Sequence, residues 1–230
     1  MVLGGGRELF GWSVRRARGV SPAADVSSFD GVLAALASAP RWDVARTDAL
    51  VGEVDQIALK HWARNVRDRH GPGAVAKVQR ALGPWADVVP LEPQAEARIA
   101  VAAQARLTEA VADALHGGAL LPLAALTRED VRRDVSTAAR LGLRAYGAVR
   151  ALRHVPEVHA KLYDVGEATV DVRRGAATVR YRGAALFAQP TWRFLVAVSL
   201  GLAVEGGAGR PPREARVDGD DDAFEIELGW

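Results

Sequence analysis

The chain contains no cysteine, and its one methionine is Met1. The absence of thiols excludes disulfides, cysteine-held zinc, iron–sulfur clusters, a thiol nucleophile and S-acylation. Lysine is scarce as well: Lys60, Lys77 and Lys161 are the lysines, and the rest of the 30 basic residues are arginine. These stand against 28 acidic residues, so a net charge of +2 supplies little long-range attraction to nucleic acid. The sequence pI of 9.3 follows from that small excess, because few groups titrate between the carboxylates and the lysines. With alanine and valine abundant, the preference for arginine reads as coding bias rather than a phosphate-binding device. Long apolar runs are missing too. Phe194–Val204 is the longest, far short of the ~20 residues a membrane span needs. Arg15-Arg16 resembles a twin-arginine start, but no apolar run of signal-peptide length follows it. The chain therefore reads as cytoplasmic, without a membrane span.

What is present is the composition of a folded domain. The 230 residues are 49% hydrophobic and 25% charged, with a mean hydropathy of −0.01, which excludes a wholly disordered chain and a membrane bundle. Residues 1–28 carry Gly4-Gly5-Gly6 and no sustained periodicity, and are expected to form a mobile tail. No strand precedes those glycines and no Lys-Ser/Thr follows them, so they are not a phosphate loop. Residues 29–230 are expected to form a single α+β domain, with a helical part over 29–118 and a core with two hairpins over 119–230.

In the helical part, Leu59, Trp62, Ala63 and Val66 recur at i, i+3, i+4, i+7, and His70-Gly71-Pro72-Gly73 stops the helix. Val75, Val78 and Leu82 form the next stripe. Pro93 is expected to open a longer helix that carries Ile99, Ala103, Leu107, Val111 and Ala114 and ends at Gly117-Gly118. Thr127 is expected to cap another, with Val131, Val135, Ala138, Gly142, Tyr146 and Val149 on one face and Arg133, Arg140 and Arg144 opposite.

After Pro156 the period becomes two. Val170 and Val172, then Ala177, Val179 and Tyr181, flank the turn Arg174-Gly175 and predict a hairpin. Thr191–Val204 follows as a helix apolar almost all round, expected to end at Glu205-Gly206-Gly207. Arg213–Val217 and Ala223–Leu228 predict a second hairpin. The C-terminal order β-β-α-β-β, with a helical layer packed on a small antiparallel sheet, is an α+β plan.

Few chemical signatures appear. Counting from Asp218, the acidic turn Asp218–Asp222 has Ala223 and Gly229 where a calcium loop requires glycine and a bidentate carboxylate. His61, His70, His116, His154 and His159 lack zinc-hydrolase spacing; His70 and His116 precede glycines, where a helix C-terminal role suffices. Ser136 and Ser199 have no nucleophile elbow. The helix pair 59–82 has the outline of a helix-turn-helix, with Lys77, Gln79 and Arg80 as base-reading candidates.

The segments GGALLP (Gly117–Pro122), KLYDVGEATV (Lys161–Val170) and GDDDAFEIELGW (Gly219–Trp230) occur in an order that resembles a paralogous family of unknown function abundant in myxobacteria. Ile57–Gly83 looks like that family's opening helix pair. The family is similar in plan to the ligand-binding fold of 4-vinyl-reductase-type domains, haem–nitric-oxide-binding domains and TRAPP tethering subunits. The resemblance implies a haem-NO-binding/TRAPP-like fold. Three departures limit what it carries: no cysteine in the terminal hairpin, none for acylation, and only Tyr181 of the haem domains' Tyr-x-Ser-x-Arg clamp. Haem is left with His154 or His159 as proximal ligand and Arg180 or Arg182 as clamp, and no cofactor is assigned.

The function expected is therefore a non-enzymatic signalling or regulatory domain that binds a small apolar ligand or a protein partner. Tyr163, Tyr181, Trp192 and Phe194 are the candidate pocket walls, although filling the core is the commoner fate of any one such residue. Arg133, Arg140 and Arg144 are the candidate partner surface. A pocketless adaptor or homodimer scaffold, and a DNA-binding regulator acting through residues 59–82, remain as alternatives; the charge balance disfavours nucleic acid.

Overall fold

The computed structural model describes residues 27–60, 62–94, 96–134 and 137–230, with the side chains of 129–143 outside the description. It begins with strand β1 (Ser27–Ser28), helix α1 (Phe29–Ala37) and the short helix α2 (Val44–Asp48). Strand β2 (Glu53–Asp55), helices α3 (Trp62–His70) and α4 (Gly73–Leu82), and strand β3 (Arg98–Ala100) follow. Then come α5 (Val101–His116), α6 (Leu121–Asp134), α7 (Thr137–Arg153) and α8 (Val155–Leu162). The C-terminal part runs β4 (Glu167–Arg173), β5 (Ala176–Arg182), α9 (Pro190–Ala208), β6 (Glu214–Gly219) and β7 (Ala223–Gly229). The protein is thus a mixed helical and antiparallel-sheet molecule.

Five strands form one antiparallel sheet in the order β1-β6-β7-β5-β4, and β2 pairs with β3 in a second, two-stranded sheet. Alternation sets the register. Val170 faces Val179, Val172 faces Ala177 and Val179 faces Ile226, so Ala177, Val179, Tyr181, Phe224, Ile226 and Leu228 all point into the core. The opposite face carries cross-strand charge, including an Arg180–Glu225 pair at 2.6 Å.

Most of helix α9 is buried or half-buried, from Pro190 and Trp192 to Val204, with Ser199 exposed. It starts with proline at its first turn, and the Gln189 side chain accepts from Trp192 N at 2.5 Å. Phe29 of α1 packs over Gly201, where a Cβ would stand 2.3 Å from its ring. Fully burying a side chain such as Phe187, Phe194 or Phe224 contributes about 1.5–3 kcal/mol.

Several boundaries depart from the sequence reading. Ser27 and Ser28, expected in the tail, pair with Ala215 and Glu214 of β6, and Ser28 caps α1 by accepting from Gly31 N; residues 1–26 lie outside the described residues. The stretch 29–118 is not wholly helical, since Ile99 belongs to β3 opposite Val54, and α5 starts only at Val101. Thr127 is no cap: it lies inside α6, its hydroxyl donating to Leu123 O at 2.8 Å. The earlier members of the expected stripe fall outside the described side chains; Tyr146 is followed by Gly147, which breaks the helical path (φ +75°, ψ 159°) and resets the phase beyond it. Tyr146 is 55% exposed, while Ala148 and Leu152 are buried. Finally, α9 continues past Gly206-Gly207 to Ala208 and is closed by left-handed Gly209. Gly207 is needed there, since a Cβ would lie 2.3 Å from Ala148 N of α7.

Candidate functional site

A groove of about 440 Å³ opens between α3, α5 and α6, with Leu195 of α9 among its lining residues. Its apolar surface comes from Trp62 and Val66 on α3, Leu107 and Val111 on α5, and Leu123 on α6. These positions follow the helical periodicity that buries one stripe of each helix. Where the stripes of three helices meet without filling the space, the groove remains. Trp62 turns its polar edge to Pro90 O, to which the indole donates at 2.7 Å.

Gln104 of α5 also lines the groove and connects it to the next feature. Its Oε1 accepts from the Tyr163 hydroxyl at 3.0 Å. Tyr163 begins a segment whose residues each have a defined role. Asp164 bonds Glu53 twice, accepting from its N at 2.6 Å and donating its own N to its carbonyl at 3.2 Å. Val165 O receives His159 Nε2 at 3.1 Å, and Gly166 (φ +63°) lets Phe187 close in. The Tyr-Asp-x-Gly motif is thereby the seam joining α8, β2 and β4.

Behind that seam lies an aromatic cluster. His159 stacks on Tyr163 at 5.0 Å and packs against Tyr181 and Phe187; Trp192 meets Tyr181 at 5.0 Å and Phe187 at 4.9 Å. Burial pushes the Tyr163 and Tyr181 hydroxyls up and the His159 imidazole down, keeping all three neutral. Of the four candidate pocket walls, Tyr181, Trp192 and Phe194 are buried in the core; Tyr163 is one hydrogen bond from the groove, and none of the four lines it. Arg144 is exposed, while the side chains of Arg133 and Arg140 fall outside the described residues.

Three arrangements have no counterpart in the sequence reading. Glu109 of α5 is buried to 3% exposure and links α5 to the start of α9. Its Oε1 accepts from Gln189 Nε2 at 3.1 Å, and its Oε2 pairs with Arg106 at 2.8 Å. Desolvation raises its pKa, opposed by the Arg106 charge. The alternation of alanines along α5 hid this carboxylate, which sits among residues that mark a buried face. His70 and His116, at the ends of α3 and α5, meet edge to face at 5.3 Å, and burial lowers the His116 pKa. In the acidic hairpin turn, Arg193 supplies the cation: it donates to Phe187 O at 2.5 Å, Asp220 O at 2.6 Å and Ala223 O at 2.8 Å. Among the described residues no group of three or more His, Cys, Asp or Glu could hold a metal ion.

No family model and no curated protein matches the chain. A solved structure does, reported for modulation of haem redox potential through protein-induced porphyrin distortion. The match has a TM-score of 0.51 at 14% identity and covers 76% of this chain and 99% of that one, which is a likeness of fold. The histidines expected as haem ligands do not fit that group here. His159 Nε2 is taken by Val165 O and its ring is walled by Tyr163, Tyr181 and Phe187; His154 lies at the surface, bonded to Glu157 at 2.9 Å. Arg180 is spent on Glu225. No single described helix is long and apolar enough to cross a membrane.

Proposed function

We propose that the chain is a non-enzymatic, regulatory ligand-binding domain whose groove between α3, α5 and α6 takes a small apolar ligand. The observation that carries this reading is the groove itself: about 440 Å³, within the range of small-molecule sites, with an apolar lining and a few convergent polar groups. The resemblance to the myxobacterial family and to the haem-NO-binding/TRAPP-like plan supports the class, as does the distant haem-protein neighbour. The site differs from the one the aromatic residues suggested, since those residues are consumed by the core. Native mass spectrometry of protein taken from its own host tests the reading. An added mass that disappears in Val111→Trp and in Leu195→Trp, both folded by circular dichroism, supports it. A mass retained in both variants places the ligand elsewhere and overturns it.

A second reading is favoured by one observation. On α7, Arg150 stacks over the exposed Tyr146 ring at 4.3 Å, and Arg144 of the same helix is exposed. Exposed tyrosine with arginine is the composition of a protein-binding surface. Tyr146→Ala combined with Arg144→Glu should release a partner captured from the host; unchanged capture removes this face from consideration.

A further inference from the structure

We infer, resting on the reading of the groove as a ligand site, that its ligand is an amphipathic anion with an apolar body and one carboxylate, held by Lys60. Among the described residues no aspartate or glutamate lines the groove, whereas Lys60, Arg69 and His70 do. The described lining thus offers basic side chains and no acidic one, in a chain whose acidic and basic residues nearly balance. The uncharged polar side chains of the lining are Asn65, Gln104, Thr108 and Thr127. Gln104 gives its Oε1 to the Tyr163 hydroxyl, which leaves its amide N–H groups for the groove. Thr108 and Thr127 donate their protons to Gln104 O and Leu123 O, and contribute no charge.

The three basic side chains are not equivalent. Arg69 already donates to Leu126 O at 3.1 Å, and His70 lies against the His116 ring. Lys60 is exposed, and its ammonium has no hydrogen-bond or ion-pair partner among the described residues. Lys60 precedes α3, and Arg69 lies about 14 Å further on at 1.5 Å per residue. Trp62 and Val66 fill the wall between them. An apolar body can thus run along α3 from a head group held at Lys60. At about 30 Å³ per water-sized group, the groove has room for about 15 such groups.

The test compares three probes with one chain length and different heads: octanoate, octan-1-ol and octyltrimethylammonium, titrated calorimetrically at pH 7.5 into the full chain. The expected order is octanoate tightest and the cation weakest. Lys60→Glu should weaken octanoate about tenfold and leave octan-1-ol unchanged, with the octanoate contribution falling as salt rises. Lys60→Gln should fall between. If the alcohol binds as tightly as octanoate, or if Lys60→Glu changes all three probes alike or none, the anion inference is overturned while the groove stands. If no probe binds, or if binding survives in both Val111→Trp and Leu195→Trp, the groove reading fails as well.

Discussion

Gly166 and Phe187 approach so closely that a Cβ on the glycine would stand 2.3 Å from the ring, and 2.8 Å from Arg182 O. With φ at +63°, the position is closed to other residues by conformation and by space. This contact locks the first residues after α8 onto the short helical turn Ala185–Ala188, so it holds the aromatic cluster together. Gly166→Ala is expected to cost about 3 kcal/mol, from steric overlap added to backbone strain. Gly71→Ala, at φ +84° with nothing within 4 Å, should cost about 1 kcal/mol. Urea midpoints with unchanged slopes separate the two, and equal losses would refute the steric account.

A similar contrast holds on α9. A Cβ at Gly207 meets the backbone of Gly147 and Ala148 at 2.3–2.6 Å, whereas one at Gly201 meets the Phe29 ring at 2.3–3.3 Å. A ring can rotate and a neighbouring backbone cannot. Gly207→Ala should therefore destabilise by about 3 kcal/mol or more and Gly201→Ala by less. Thermal unfolding of both variants checks the ranking; the reverse order would mean that α7 shifts more easily than Phe29.

Arg193 reaches three carbonyl oxygens with a planar fork that lysine cannot reproduce. Arg193→Lys and Arg193→Met should both loosen the turn at 219–223, the methionine more, by about 2–3 kcal/mol for three lost charge-assisted bonds. Faster amide exchange at Gly183, Ala184 and Asp220, whose N–H groups bond within or to this turn, is the signature to measure. Protection equal to wild type would assign the turn's order to the strands alone.

Acid should weaken the fold through His159 and His116. Burial is the chief reason both have pKa values below the usual 6.5, with His70 adding to it at His116. The unfolded chain therefore takes up protons first as the pH falls. Stability from these groups is full above about pH 6.5 and is lost as the pH drops below it. Glu109 works in the opposite sense: its raised pKa withdraws stability as the pH rises above 4.5. His159→Gln should be less stable than wild type at pH 7.5 and lose less between pH 7.5 and 5.5. Urea unfolding at the two pH values decides it, and parallel losses would exclude His159 as a contributor.

The sequence made the local features legible. Period two along Val170–Tyr181 and the turn Arg174-Gly175 specify the observed pairing of Val170 with Val179. The stripe Leu59, Trp62, Ala63 and Val66 is buried throughout. Features set by distant contacts were not legible. Thr127 has the chemistry of a cap, but a helix running from Leu121 overrides it and turns its hydroxyl onto Leu123 O. Tyr146 continues an apolar period in the sequence, yet it is 55% exposed, and Gly147 directly after it resets the helical phase. The groove is assembled from elements far apart in the chain, and Glu109 finds Gln189 across 80 residues. Aromatic residues are the natural choice for pocket walls, yet Tyr163, Tyr181 and Trp192 pack with His159 and Phe187 against one another.

Gln104 is touched from two directions, by Tyr163 on one side and by the groove on the other. If an occupant engages the free half of that amide, linkage makes the effect mutual: whatever steadies the seam at Tyr163 tightens the occupant's hold, by the same factor with which the occupant steadies the seam. A single amide is then the joint through which an event on the helical side becomes a change in the rigidity of the sheet.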